Sequence, residues 1–272
     1  MSVFCLTFSR DRPMQLDALL TSIEQHAPFL YDPMLVLYCA TEPQYEHGYE
    51  ICAKAHPGAE FLREVDFYLQ VSAVLTANRY VAFQTDDDVF YRDLDLANLR
   101  LDLDEICFSL RLGLNIHHCY PYAATQPQPS DLRRRRGILY WRWPHAAMDW
   151  SYPMSLDGHI FWSEMLRRLL GSRRFSNPNQ LEEILAQTAW VADGEYMLCL
   201  RESAVVSLPL NRVNTTHANR YAENPWWSPE RLNERYLLGE RFNLKAMDFS
   251  TIEAAHQIVI PSFAAPRKPV RV

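Results

Sequence analysis

The chain has 272 residues, a formal net charge of −6 and a sequence pI of about 5.9. Apolar residues make up 48% of it and charged residues of both signs 22%, which allows a sizeable core and excludes global disorder. The acidic balance argues against a nucleic-acid binder, which needs a basic footprint, but it does not exclude a nucleotide held by a divalent metal and a few local arginines.

The first part of the chain predicts alternating strands and helices. Strands are predicted at residues 3–8, 34–40, 60–65 and 80–84. Helices are predicted from Pro13 onward, at residues 43–55 and at residues 69–77. This alternation is typical of a parallel sheet with helices on both faces, in which ligands bind at the carboxyl ends of the strands.

The second part is less regular. We predict a strand at residues 106–112, a loop or mobile insertion at residues 126–136, helices at residues 158–170 and 179–190, and a short hairpin from residues 197–200 and 204–208. The insertion contains four consecutive arginines, which repel one another unless an anion is near. We find no internal repeat and no clear domain boundary, and therefore expect a single domain.

Six cysteines occur without any C-x-x-C spacing, so neither a zinc ribbon nor a redox motif is indicated. The N-terminal residues lack the pattern of a signal peptide, and no apolar stretch approaches the roughly 18 residues of a membrane span. We therefore expect a cytoplasmic protein without a transmembrane segment, and leave peripheral association with a membrane open.

The strongest motif is a run of three carboxylates, Asp86, Asp87 and Asp88, directly after the fourth predicted strand. Adjacent carboxylates at the end of an apolar strand are costly unless a cation lies beside them. Mn²⁺ or Mg²⁺ is the natural partner, because these ions bind carboxylate and diphosphate oxygens together. The alternative is a solvated acidic turn that caps the next element.

The opening segment LTFSRDRPMQLDALLTSI (residues 6–23) and the cluster FQTDDDV (residues 83–89) resemble the GT-A glycosyltransferases, whose signature is Asp-x-Asp. The resemblance covers roughly the first hundred residues. It implies an α/β fold with a Rossmann-like, mostly parallel central sheet. It also implies a metal-dependent glycosyltransferase that moves a sugar from a nucleotide-sugar donor to a glycan or other hydroxyl acceptor. On this basis we divide the chain into a donor half (residues 1–104), an acceptor half (residues 105–260) and a flexible tail (residues 261–272).

The resemblance also implies roles for single residues. The nucleoside pocket would be lined by Thr7, Phe8, Ser9 and Arg10, with Arg12 nearby. Asp86 would face the ribose or the sugar, Asp87 would hold a sugar hydroxyl, and Asp88 would bind the metal. The alternative for Arg10 and Arg12 is a solvated turn on either side of an aspartate.

Two carboxylates are candidates for the catalytic base that an inverting reaction requires. Glu183 belongs to a Glu-Glu pair near a helix start, where such enzymes often carry Glu-Asp or Asp-Asp; helix-dipole stabilisation is the alternative. Asp157 precedes a predicted helix, so an N-cap is its alternative. Aromatic residues before Asp157 suit either sugar stacking or core packing: Tyr140, Trp141, Trp143, Trp150 and Tyr152.

Three further residues carry weaker signals. His217 is a candidate late metal ligand, with a solvent-facing histidine as the alternative, and Arg212 could pair with the diphosphate. Arg111 stands in an apolar strand and needs an anion, which is either a protein carboxylate or a donor group. Two other functions stay open: a metal-dependent phosphohydrolase, and a non-catalytic sugar- or nucleotide-binding module on the same fold.

Overall fold

A computed structural model describes residues 2–30, 33–94, 96, 99, 101, 102, 104–214, 216 and 219–265. Within these residues the strands are β1 (Phe4–Arg10), β2 (Met34–Cys39), β3 (Glu60–Arg63), β4 (Tyr80–Thr85), β5 (Asp88–Phe90), β6 (Glu105–Ser109), β7 (His118–Cys119), β8 (Ala124–Thr125), β9 (Arg133–Arg135), β10 (Ile138–Arg142), β11 (His159–Trp162), β12 (Tyr196–Cys199), β13 (Val205–Ser207), β14 (Arg241–Phe242) and β15 (Phe263–Ala264). The helices are α1 (Pro13–His26), α2 (Pro43–Ala55), α3 (Phe67–Ala77), α4 (Ser163–Leu170), α5 (Pro178–Thr188) and α6 (Pro229–Leu237).

The central sheet has nine strands in the order β3-β2-β1-β4-β11-β6-β12-β10-β9. Strands β11 and β10 run opposite to the other seven. The predicted fold class, an α/β protein with a mostly parallel central sheet, is therefore confirmed. Smaller pairs, β13 with β5, β14 with β15 and β7 with β8, lie outside this sheet.

Helices cover the sheet in two layers, since α1, α2 and α6 contact one another and α3, α4 and α5 form a second connected group. Neighbouring residues of β1 show that the layers lie on opposite faces. Ser9 hydrogen-bonds Tyr49 of α2 at 2.7 Å, whereas the ring of Phe8 packs 5.3 Å from that of Phe67 in α3. Because successive side chains of a strand point to opposite faces, the core is closed on both sides of the sheet.

The sequence predicts the first part of the fold well. Helix α1 begins at Pro13 and α2 spans Pro43–Ala55, as expected for proline in a first helical turn. The four predicted strands of this part are β1 to β4, with ends shifted by at most two residues. Their carboxyl ends meet at one edge of the sheet, where the polar turn after β1 and the acidic run after β4 come together.

Three predictions for the second part are wrong. Residues 159–162 form β11, antiparallel between β4 and β6, so the helix predicted from residue 158 begins only at Ser163. The predicted hairpin does not form, because β12 pairs with β6 and β10 in the central sheet while β13 pairs with β5. Short apolar runs do not reveal distant strand partners.

The third correction concerns only part of the predicted loop, since residues 126–132 contain no helix or strand. Arg133–Arg135 form β9, an exposed strand at the edge of the sheet, and Arg136 and Gly137 turn the chain into β10 with φ values of 51° and 90°. Of the predicted tail, Phe263–Ala264 form β15, whereas residues 266–272 lie outside the described residues. The division into donor and acceptor halves stays a prediction.

Candidate active site

A cavity of about 1020 Å³ opens at the edge where the parallel strands end. Most of the residues that the sequence singles out line it: Phe8, Ser9, Arg10, Arg12, Asp86, Asp87, Arg111, Asp157, Glu183 and Arg212. Thr7 does not line the cavity, since it is fully buried in β1. His217 lies outside the described residues.

Asp86 is anchored to the end of β1. Its carboxylate accepts hydrogen bonds from the Ser9 hydroxyl at 2.9 Å, the Arg10 amide at 3.0 Å and the Arg12 guanidinium at 2.9 Å. Burial raises the pKa of Asp86 to about 6, against the opposing charge of Arg12. The acidic run is thus tied to the polar turn that precedes it by more than seventy residues.

Arg12 is not part of a solvated turn, because only 8% of it is exposed. Its guanidinium also donates to the Asn211 side chain at 2.7 Å and lies 3.4 Å from Asp87. Arg10 differs, since its side chain is 47% exposed and its nearest ion-pair partner, Asp11, is 3.8 Å away. Arg12 therefore fixes the site, whereas Arg10 remains accessible from the cavity.

Thr85, the last residue of β4, lies between two carboxylates. Its hydroxyl is 2.9 Å from an oxygen of Asp87 and 2.9 Å from an oxygen of Asp157. One hydroxyl proton can serve only one of these oxygens at a time. Asp87 and Asp157 are therefore held close together, and only one of them can accept the Thr85 hydrogen bond at a time.

Asp157 lies two residues before β11 and not before a helix, so it is not an N-cap. It accepts hydrogen bonds from His256 at 3.1 Å and from Arg111 at 3.3 Å. Burial opposes ionisation, but the His256 contact and the Arg111 charge outweigh it and lower the pKa of Asp157 well below its usual range. Asp157 is consequently held as an anion.

The anion partners of Arg111 are protein carboxylates. Its buried guanidinium lies 3.1 Å from Asp149 and 3.3 Å from Asp157, and it also donates to the Ser155 hydroxyl at 2.9 Å. Asp149 is held in turn by the Gln126 side chain at 2.9 Å. Arg111 thus orients the segment that carries Asp157.

The glutamates of α5 have different surroundings. Glu182 accepts a hydrogen bond from the Tyr152 hydroxyl at 2.8 Å and also lines the cavity. Burial and the nearby charge of Asp157 raise the pKa of Glu182 to about 7. Glu183 is exposed and accepts from Gln187 at 3.1 Å. Both glutamates line the cavity, but Glu182 is the more buried of the two, whereas the sequence favours Glu183.

Asp88 lies beneath the cavity and does not line it. It is fully buried in β5, where it pairs with Ser207 of β13. The Ser207 hydroxyl lies 2.6 Å from one carboxylate oxygen, and the Thr85 amide donates to the other at 3.1 Å. Burial and the charges of Asp157 and Asp87 raise the pKa of Asp88 well above its usual value.

His256 is a residue that the sequence analysis missed. It lines the cavity, and its backbone bridges to Ser207 beside β13. Its Nδ1 atom is buried and has no hydrogen-bond partner among the described residues. No local motif surrounds it, so only the fold reveals its position. Of the aromatic cluster, Trp141, Trp143 and Trp150 are core residues, whereas Tyr152 lines the cavity.

Two other groups of candidate metal ligands occur among the described residues, Asp17–Cys52–His56 and Asp102–Asp104–Glu105, each with ligand atoms within 4.8 Å of one another. Neither group lines the cavity. No helix in the described part of the chain combines the length and apolar character required to cross a bilayer.

No family model matches the chain. One curated relative, the bifunctional glycosyltransferase pgtA of Dictyostelium discoideum, is 23% identical over 250 residues, which cover 79% of this chain and 32% of the relative. The chain thus spans about a third of the length of that relative. The recognised similarity to glycosyltransferases is confirmed by this match.

Several solved structures are similar at 12% identity. They include a mannosyltransferase of Pyrobaculum calidifontis in complex with GDP-Man and Mn²⁺ (TM-score 0.45; 74% of this chain and 55% of that chain). They also include TarS 1-349 of S. aureus in complex with UDP (TM-score 0.49; 75% and 59%) and GalNAc-T7 with UDP, GalNAc and Mn²⁺ (TM-score 0.46; 86% and 47%).

Proposed function

We propose that this protein transfers a sugar from a nucleotide-sugar donor to an acceptor hydroxyl with a divalent metal ion. The observation that carries the proposal is the meeting of Asp87, Asp157 and Glu182 in one cavity at the carboxyl ends of parallel strands. The sequence match to a glycosyltransferase supports it. The three carboxylates have different partners, which suits them to different roles.

The site fits a divalent metal at Asp87, Asp157 and His256. Both carboxylates lie within hydrogen-bond distance of the Thr85 hydroxyl, which can donate to only one of them, and the His256 ring lies beside Asp157. Carboxylate oxygens and an imidazole nitrogen are suitable ligands for Mn²⁺. Their atoms are not as close together as a bound ion requires, so the side chains must draw together around it. When bound, the ion would offset the charge of the leaving nucleoside diphosphate.

The donor would lie along the ends of β1 and β4. Phe8, Ser9 and Arg10 would contact the nucleoside, and Asp86 would hold the turn that carries them. Arg212 lines the same cavity and makes no ion pair within the described residues, so its charge is available for the diphosphate.

Glu182 is our proposed base for an inverting transfer. A base must accept the proton of the acceptor hydroxyl, and it works best when its pKa is close to the ambient pH. The pKa of Glu182, about 7, meets this requirement, whereas Asp157 is too weakly basic. Asp157 therefore suits the metal, and Glu183 lies at the exposed part of the cavity beside Gln187.

The proposal is tested by incubating the protein with nucleotide-sugars, with and without Mn²⁺, and measuring both thermal stability and nucleoside diphosphate release. A bound donor should raise the melting temperature only when the metal is present. Asp87→Asn and Asp157→Asn should each remove this effect. Asp93→Asn is the control, because Asp93 is 91% exposed and pairs with His26. The proposal fails if no nucleotide-sugar gives metal-dependent stabilisation or release.

A further inference from the structure

Glu64 is a cavity residue with no role so far. It follows the last residue of β3, and its amide donates to the Tyr38 carbonyl at 2.8 Å, so its backbone is held by the sheet. Its side chain is half-buried and lines the cavity. Within the described residues its carboxylate accepts no hydrogen bond and forms no ion pair within 4.0 Å.

An unpartnered carboxylate in such a place is costly. Burial raises the pKa of Glu64, and the charge of Arg10 offsets this only in part. A half-buried acceptor gains stability from a donor that comes with a ligand. The position therefore indicates a ligand that offers N–H or O–H groups at the end of β3.

Part of the wall between Glu64 and the acidic run is apolar. Phe8, Leu37 and Phe67 line this part of the cavity, and Cys39 lies at the end of β2. Such a wall suits a flat ring that is polar only at its edge. Neighbouring strands lie about 4.8 Å apart, so the end of β3 is roughly 14 Å from the end of β4. An extended nucleoside diphosphate can bridge that distance.

We infer that Glu64 selects the base of the donor, and that it favours bases with a ring N–H on their pairing edge, guanine and uracil, over adenine and cytosine. The inference rests on the proposed function. An ionised carboxylate only accepts hydrogen bonds. Guanine offers two adjacent N–H donors and uracil one, whereas adenine and cytosine present a ring nitrogen lone pair that repels the carboxylate.

The test is calorimetric titration of GDP, UDP, ADP and CDP into the protein with Mn²⁺. GDP or UDP should bind roughly 10- to 100-fold more tightly than ADP and CDP, the factor expected for a charge-assisted hydrogen bond. In Glu64→Gln this preference should shrink by the same factor, because an amide can also donate to a lone pair. Glu60→Gln is the matched control, since Glu60 is an exposed residue of β3, the strand that Glu64 follows, and does not line the cavity.

The outcomes separate the two proposals. If none of the four nucleotides binds, the proposed function fails and this inference fails with it. If ADP or CDP binds as tightly as GDP and UDP, only the inference is overturned. It is also overturned if Glu64→Gln keeps the wild-type order of affinities. The wild-type panel decides the question even if the variant does not fold.

Discussion

At the scale of single residues, two neighbouring glutamates of the cavity have different surroundings. Glu182 and Glu183 are adjacent in α5, yet Glu182 contacts Tyr152 while Glu183 contacts Gln187. An α-helix has about 3.6 residues per turn, so neighbouring side chains point about 100° apart around the helix axis. The sequence reveals the pair and favours Glu183, but only the packing of α5 determines which glutamate contacts Tyr152.

We expect Glu182→Gln to lower kcat by about 100- to 10,000-fold, the usual contribution of a general base, while donor affinity changes little. The wild-type kcat should rise with pH up to about pH 7 and then level off, because the base acts in its deprotonated form and its pKa is about 7. Steady-state rates between pH 5.5 and 8.5 measure this. Glu183→Gln should keep both the rate and the pH profile; a large loss in this control would assign the base to Glu183.

Asp87 and Asp88, the last two residues of the acidic run, are expected to differ in their effect on metal-dependent donor binding. Asp88 contacts Ser207 and the Thr85 amide beneath the cavity, and an asparagine can accept from one and donate to the other. We therefore expect Asp88→Asn to keep metal-dependent donor affinity within about threefold, whereas Asp87→Asn loses it. Titration of donor with Mn²⁺ into both variants is the measurement. Equal losses would return Asp88 to the role of metal ligand.

Some of the cavity residues that the sequence singles out follow strands of the parallel sheet. The cluster at residues 86–87 and the turn at residues 8–12 belong to β-strand ends, which periodicity and apolar runs reveal. His256 could not be found in this way, because its place depends on a bridge to Ser207 and on no pattern around it. Long-range pairing is therefore the information that the sequence alone did not supply.

At the scale of elements, the same limit explains the errors in the second part. Residues 159–162 read as a helix because they precede an amphipathic segment, yet they fill the gap between β4 and β6. Gly158 allows the chain to turn into β11. It has a φ of 70°, and a Cβ there would lie 2.7 Å from a methyl group of Val205.

Gly158→Ala should lower the free energy of unfolding by about 2 kcal/mol or more, since it combines left-handed strain with a steric clash. Gly137→Ala tests the strain alone. Gly137 has a φ of 90°, but nothing lies within 4 Å of the place that an alanine Cβ would take, so we expect a loss of about 1 kcal/mol. Urea unfolding of both variants gives the comparison, and equal losses would show that the Val205 contact relaxes freely.

At the scale of the whole molecule, a buried histidine joins the helices of one layer. His56, at the end of α2, lies 2.9 Å from Glu24 and 3.4 Å from Asp17, both of α1. Asp17 also accepts from Tyr236 of α6 at 2.9 Å. The wider surroundings include Cys52 and Arg241, which lies 3.4 Å from Asp17. Several elements thus depend on one cluster of charges.

Burial opposes a charge on His56, but its hydrogen bonds to Asp17 and Glu24 outweigh it and raise its pKa. Protonated His56 therefore stabilises the fold. This contribution is complete below the unfolded pKa of about 6.5 and is lost as pH rises through the higher folded pKa. We expect His56→Gln to reduce the melting temperature more at pH 6 than at pH 9. His47→Gln, an exposed change on the same helix, should not; an equal effect of His56→Gln at both pH values would contradict the expectation.

The edge of the sheet at β9 has a consequence for how copies of this protein behave when concentrated. A free strand edge is a template on which another strand can add and start an ordered aggregate. Here Arg133–Arg135 are exposed along that edge, so two copies meeting edge to edge would bring at least six like charges together. Dissolved salt weakens such repulsion, because the Debye length falls from about 10 Å at 0.1 M to about 3 Å at 1 M. The arginines thus oppose edge-to-edge association of two copies by electrostatic repulsion, and this repulsion weakens as the ionic strength rises.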